Sequence, residues 1–142
     1  MYQTAGPVVE SLRARGLSWE VLDRAVQQAE ESGRPLRDVL IDQRVVTEIE
    51  LAEALAEAYG LKSVDIVGYP IDLAAAAKIP VAMSRRHRVL GIAIDDNEIV
   101  VAMADPRDVL AIDDVRAATG LQVRPVVVAR DELNKAIDRS SR

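Results

Sequence analysis

The apolar positions of this chain change their period near residue 60. Before it they recur every three and four residues, the spacing of helices that bury one face. Val8, Val9 and Leu12 lead to Gly16, a helix stop. Leu22, Ala25, Val26 and Ala29 mark a second helix that ends before Ser32-Gly33, and Leu36, Val39 and Leu40 a short third one. Thr47-Glu48-Ile49-Glu50 has the form of a capping box, in which the Thr hydroxyl and the Glu carboxylate each take a free amide of the first turn. Leu51, Leu55, Ala58 and Tyr59 continue that fourth helix to Gly60.

These helices form a degenerate internal repeat. The run Leu12-Arg13-Ala14-Arg15-Gly16-Leu17 aligns with Leu40-Ile41-Asp42-Gln43-Arg44-Val45 at an offset of 28, and Leu22, Val26 and Ala29 align with Leu51, Leu55 and Ala58 at an offset of 29. Each unit reads as short helix, turn, longer helix, and two such units must pack together to cover their apolar faces.

After residue 60 the pattern is strand-like. Val64-Asp65-Ile66 reads as a short strand, and Gly68-Tyr69-Pro70 breaks the chain. Residues 73–79 are an Ala-rich turn or helix, and Pro80 precedes a short helix carrying Arg85-Arg86-His87-Arg88. Apolar runs at 89–94 and 99–104 flank Asp95-Asp96-Asn97-Glu98, a hairpin signal. Asp105-Pro106 predicts a helix start, with Val109, Ile112, Val115 and Ala118 facing inward and Gly120 as the stop. Residues 123–128 form a strand that Pro125 places at a sheet edge, and Asp131 caps a last helix with Leu133 and Ile137 inward. The expectation is an α+β fold, with a bundle of about four helices over residues 1–66 and a small three-stranded ββαβα unit over 67–142.

Composition narrows the chemistry. The 142 residues contain no Cys, no Phe and a single His, which excludes thiol chemistry, disulfides and Cys/His zinc sites. The net charge of −5 lies entirely in residues 1–60, where 11 acidic residues face 6 arginines; 61–142 is neutral. An acidic, aromatic-poor chain repels nucleic acid and offers few platforms for stacking bases, so no nucleic-acid partner is expected. No apolar run reaches the roughly 20 residues of a membrane span, and no signal peptide opens the chain, so direct membrane insertion is not expected and the compartment reads as cytoplasmic.

Neither a phosphate loop nor a dinucleotide fingerprint is present in the sequence. Asp95/Asp96 belong to a turn and Asp113/Asp114 to a helix on which neighbours diverge, so neither pair suggests catalysis. His87 stands among arginines as a polar helix end rather than a poised base. Its basic cluster reads as a solvated turn pairing with the acidic first half, or as a seat for a phosphate or an acidic partner. Trp19 is either a core anchor or an exposed hot spot for a partner. No catalytic residue and no metal ligand is assigned. The partner-binding candidates are Trp19, Glu20, Asp38, Asp42, Arg44, Arg85 and Arg86.

Several stretches carry a family resemblance over about residues 8–139. They are Gly33-Arg34-Pro35-Leu36-Arg37-Asp38-Val39-Leu40, the Thr47–Leu61 helix, Arg86-His87-Arg88-Val89-Leu90, Val101-Ala102-Met103-Ala104-Asp105-Pro106, and the segment from Ile112-Asp113-Asp114 to Thr119-Gly120. Together they resemble the N-terminal domain of type II secretion and type IV pilus assembly ATPases. The resemblance implies a non-catalytic adaptor that docks a motor to the cytoplasmic part of an inner-membrane platform protein. The motor domain would lie downstream on the same chain, with the tail 138–142 beginning a linker.

Some relatives bind cyclic di-GMP through the helical half, called MshEN, by two motifs that begin Arg-Leu-Gly, have a second Gly seven residues on and end in Gln. Here Pro7-Val8-Val9 and Pro35-Leu36-Arg37 stand at the two openings, Gly16 is kept while Arg44 replaces its counterpart, and Ala29 and Ala58 stand for Gln. The apolar skeleton survives and the ligand chemistry is largely lost. No cofactor is therefore expected. Arg34, Leu36 and Arg37 are the remaining cyclic di-GMP candidates, and ATP would be reached only through a downstream domain. An interaction domain fused to another effector is the further alternative.

Overall fold

The computed structural model describes residues 6–140; the first five residues of the expected helical unit, and Ser141 and Arg142 of the expected linker, lie outside them. Four helices come first: α1 (Gly6–Ala14), α2 (Trp19–Ser32), α3 (Leu36–Asp42) and α4 (Glu48–Ala58). Two short helices follow, α5 (Leu73–Lys78) and α6 (Val81–His87), then β1 (Val89–Asp95), β2 (Glu98–Met103), α7 (Val109–Thr119), β3 (Gln122–Val127) and α8 (Arg130–Ser140). This is the expected α+β class and the expected ββαβα order.

The repeat is visible in the backbone. At the end of α1 the Gly16 amide donates to Arg13 and the Leu17 amide to Leu12; at the end of α3 the Arg44 amide donates to Ile41 and the Val45 amide to Leu40. Both are the same doubly bonded helix terminus, which needs a left-handed residue. Gly16 has φ +105°, and Arg44 adopts φ +57° in its place. The longer helix of each unit is capped alike, Ser18 accepting from the Val21 amide and Thr47 from the Glu50 amide. The Glu50 carboxylate returns to the Thr47 amide at 2.8 Å and closes the box. Val9, Leu12, Leu22, Leu40 and Leu51 are sealed in the core of this bundle, and α1 packs on α4 as α2 packs on α3.

The sheet has the order β1-β2-β3, with β1 antiparallel and β3 parallel to β2. Both faces are covered, which explains the unbroken apolar run of the central strand. Leu90, Ile92, Val100 and Ala102 pack against Leu133 and Ile137 of α8, while Val89, Ile99, Val101 and Met103 pack against Ala111 and Val115 of α7. A bulge between Gly91 and Ala93 reverses the alternation of β1, so Ile94 turns to the α7 side. Val127 of β3 packs into the helical core, which joins bundle and sheet.

Four local expectations change. Val64-Asp65-Ile66 is not a strand; the segment makes one parallel bridge, Ser63 with Val127, through the amide and carbonyl of Val127. Because Val127 points these groups away from β2, Pro125 two residues earlier also points away, and its missing amide costs no ladder bond. Asp105-Pro106 does not start α7. Asp108 is the N-cap; Val109 is 63% exposed rather than inward, and Ala118 at the other end is also exposed. The helix α8 begins at Arg130, so Asp131 lies in its first turn instead of capping it. Tyr59 leaves the apolar face of α4 and is partly exposed beyond its end.

Candidate functional site

A cleft of about 620 Å³ opens between the helical bundle and the loop that follows β2, within the usual size of small-ligand sites. Its floor is apolar and comes from both repeats: Val8, Val26 and Ala29 from one, Leu36, Leu40, Leu51 and Leu55 from the other. Its rim is charged, with Glu30, Arg34 and Arg37 on the bundle and Asp105 and Arg107 on the loop.

The charged groups already hold one another. Arg37 Nη1 donates to the Ala104 carbonyl at 3.2 Å, and Nη2 stands 3.8 Å from Glu48 Oε1. Glu48 Oε2 is 3.7 Å from Arg130 Nε, and Arg130 Nη2 donates to Asp38 Oδ1 at 2.9 Å. This chain of two arginines and two carboxylates ties α3 and α4 to the end of β2 and to α8. The Arg37 and Glu48 side chains are only 16% and 18% exposed, and Arg37 Nε and Glu48 Oε1 make no hydrogen bond. Burial lowers the Arg37 pKa most, the positive charge of Arg130 lowers it further, and Glu48, Asp105 and Asp38 partly offset both. Across the cleft, Arg107 grips Asp105 from its backbone amide, Nε and Nη2, all near 2.9–3.0 Å. Burial alone would raise the Asp105 carboxyl, but the hydrogen bonds and charge of Arg107 outweigh it and hold the carboxyl below its ordinary range.

The candidate residues fall in four places. Arg34, Leu36 and Arg37 line the cleft, but Arg34 is paired with Asp42 at 2.5 Å and Arg37 is held as described. Asp38, a partner candidate, is turned inward to Arg130. Trp19 and Glu20 open α2; Trp19 is 43% exposed with the Arg13 guanidinium 4.2 Å above its ring, so it is not a core anchor. Arg44 is exposed at the α3–α4 turn, and Arg85 and Arg86 lie on the last turn of α6, in another part of the molecule.

Among the described residues the basic cluster forms no ion pair with the acidic first half. Arg86 lies 3.9 Å from Asp114 and Arg88 lies 3.6 Å from Asp138, both within the second half. His87 is largely buried, with Nε2 2.8 Å from Asp114 Oδ2, so it joins α6 to α7 rather than ending a helix in solvent. Sequence reasoning missed Arg107 and Arg130. The Asp105-Pro106-Arg107 run could have been read as a side-chain-stabilised turn. Arg130 meets a partner 92 residues away, which no local pattern announces.

Residues 59–142 match the family model described as the MshEN domain, so the match begins at the end of α4 and spans the sheet, whereas the sequence reading attached that name to the helical half. The chain is 30% identical over 142 residues to the type IV pilus assembly ATPase PilB of Pseudomonas aeruginosa, covering 96% of this chain and 24% of that protein. It is 33% identical over 137 residues to type II secretion system protein E of Xanthomonas campestris pv. campestris, covering 93% of this chain and 24% of that protein. The chain thus spans about a quarter of these relatives. Among solved structures, that of MshE with cdg superposes with a TM-score of 0.82 at 26% identity, covering 94% of this chain and 97% of that one. The N-terminal domain of XpsE superposes with a TM-score of 0.69 at 32% identity, covering 93% and 92%. The sequence, the fold and these matches agree that the chain belongs to the MshEN domain family, which supplies the N-terminal domains of type II secretion and type IV pilus ATPases.

Proposed function

We propose that this chain is the non-catalytic adaptor domain of a type II secretion or type IV pilus assembly motor, and that it docks the motor to the cytoplasmic part of an inner-membrane platform protein. The observation that carries this reading is the near full-length match to an isolated N-terminal domain of such a protein, 93% of this chain against 92% of that one. The absence of a phosphate loop from the sequence fits a role outside hydrolysis. The remaining three quarters of the relatives leaves room for a motor on the same chain.

The exposed Trp19, braced by Arg13 and followed by the exposed Glu20, is the contact that the docking reading assigns to the helical face. Its acidity selects a basic partner and makes the encounter rate sensitive to salt. Among the described residues no helix is long and apolar enough to cross a membrane, so the domain would reach the inner membrane from the cytoplasm through its partner. Pull-down of the domain by the cytoplasmic region of the platform protein tests this. Retention that disappears with Trp19→Ala and Glu20→Lys supports it, and no retention in low salt overturns it.

One observation favours a second reading, a cyclic di-GMP-binding regulatory module. The cleft gathers both repeats beneath Arg34, Arg37 and Arg107, and the superposed structure is that of MshE with cdg. Against it, Arg34 and Arg37 are engaged internally and Glu30 and Asp105 add negative charge to the rim. Calorimetry with cyclic di-GMP separates the readings, since a heat signal in about the micromolar range that Arg34→Ala abolishes would favour the second.

A further inference from the structure

We propose that the groove between the start of α4, residues 63–67 and the start of α8 is a docking surface for an extended basic segment of another protein. It lies on other elements than Trp19 and Glu20, so it does not rest on the docking reading above. The groove, about 380 Å³, has Ile49 and Ala52 of α4, Val67 and Ala129 in its apolar lining. Ile49 is 57% and Val67 65% exposed, so two large apolar side chains stand there in water. Three carboxylates, Glu53, Asp65 and Glu132, belong to the same lining, and no Lys or Arg does. Ile49, Ala52 and Glu53 are spaced i, i+3 and i+4, which puts them on one face of α4.

The negative charge is only partly met from within. Arg15 divides between Glu53 at 2.6 Å and Glu57 at 3.5 Å, and Lys135 stands 3.5 Å from Glu132. Exposed pairs of this kind are weak and can exchange partners. Asp65 forms no ion pair among the described residues, and its Oδ1 accepts from the Val67 amide at 3.1 Å. Among the described residues no three acidic side chains converge to hold a metal ion, so the charge is spread along the groove. The backbone adds an independent feature. Ser63 bridges Val127, with the Val127 amide on the Lys62 carbonyl and the Val64 amide on the Val127 carbonyl. That parallel pattern turns the N–H and C=O of Ser63 itself away from β3. Among the described residues these two groups make no hydrogen bond, nor do the N–H and C=O of Asp65, and both residues are exposed. An unpaired edge of this kind accepts an added strand through main-chain bonds, and the adjoining pocket selects its side chains. An extended segment that carries apolar side chains together with Lys or Arg matches the edge, the apolar lining and the carboxylates at once. A helix is the weaker match, because it leaves the Ser63 edge unpaired.

The test screens a displayed library of random linear peptides against the 142-residue protein. Enriched peptides are mapped by amide chemical shifts and hydrogen exchange. They are then rebound to a carboxylate variant, Glu53→Gln/Asp65→Asn/Glu132→Gln, to an apolar variant, Ile49→Ser/Val67→Ser, and to Trp19→Ala/Glu20→Lys. Asp65→Asn keeps the side-chain oxygen that accepts from the Val67 amide, and circular dichroism checks that each variant is folded. The proposal expects enriched peptides that combine apolar residues with Lys or Arg, shifts confined to α4, residues 63–67, β3 and α8, and slower exchange of the Ser63 amide. It also expects binding weakened at least about tenfold by the carboxylate variant, weakened separately by the apolar variant, and unchanged in Trp19→Ala/Glu20→Lys. It is overturned by no enrichment, by neutral or acidic peptides, by shifts elsewhere, or by a carboxylate variant that binds as well as wild type. Peptides that bind as helices and leave Ser63 exchange unchanged also overturn it. Loss of binding in Trp19→Ala/Glu20→Lys alone would move the site to the α2 face. A self-association seen by sedimentation and lost in the carboxylate variant, without peptide enrichment, would assign the groove to a second copy instead.

Discussion

Arg37→Ala removes the centre of the ion-pair chain that joins the helical bundle to the sheet. Its guanidinium makes a 3.2 Å bond to the Ala104 carbonyl and a 3.8 Å ion pair with Glu48. A hydrogen bond from a charged donor is worth about 1.5–3 kcal/mol where its acceptor is left without a substitute. The gain is offset in part, because the variant also relieves the burial of a charge and the repulsion from Arg130, the two causes that lower the Arg37 pKa. The net expectation is a loss of about 1–3 kcal/mol, smaller than for breaking a fully buried pair. For a domain of this size that is a fall in melting midpoint of roughly 3–10 °C. Arg34→Ala breaks an exposed pair with Asp42 and is expected to change stability by only about 0–1 kcal/mol. Urea denaturation and calorimetry of both variants measure the contrast, and hydrogen exchange should quicken in α3 only for Arg37→Ala. A midpoint for Arg37→Ala at or above wild type, or equal to that of Arg34→Ala, would refute the reasoning.

Gly91→Ala forces a Cβ to within 2.5 Å of the Ala75 carbonyl oxygen and 3.1 Å of its carbon, so α5 must shift off β1; thermal unfolding should show a loss of about 1–3 kcal/mol. Asp105 has a carboxyl held below its usual value near 3.8, so its folded-state pKa is depressed and it contributes stability above that value. Asp105→Asn should therefore be less stable than wild type at pH 7, and urea titrations should show the difference shrinking as pH falls below about 3.8. Thr47→Ala removes the hydroxyl that caps α4 and should cost about 1 kcal/mol with unchanged helix content by circular dichroism.

The helical half was legible because each of its signals is local. Helical spacing, the capping box and the 28-residue offset all survive into the structure, and the offset even aligns the two helix ends bond for bond, although Arg44 replaces the glycine. The hairpin was legible because Asp95-Asp96-Asn97-Glu98 interrupts two apolar runs. The start of α7 was misread because Asp105 and Asp108 are both credible caps, and the choice fell to Asp108 once Asp105 was taken by Arg107. The strand at 64–66 was misread because β3 offers it a single outward amide and carbonyl beside Pro125. At the cleft the structure brings Arg34, Leu36 and Arg37 together, but no local pattern in the sequence announces that Arg37 is held by two other segments, through Glu48 of α4 and the Ala104 carbonyl after β2.

Binding between this domain and the cytoplasmic region of the platform protein, measured by calorimetry over a salt series, tests the central claim most directly. The account predicts a saturable complex in about the micromolar range that weakens steadily with salt and is lost with Trp19→Ala together with Glu20→Lys. No heat of binding in low salt at protein concentrations of about tens of micromolar, or binding indifferent to both salt and the two substitutions, would contradict it.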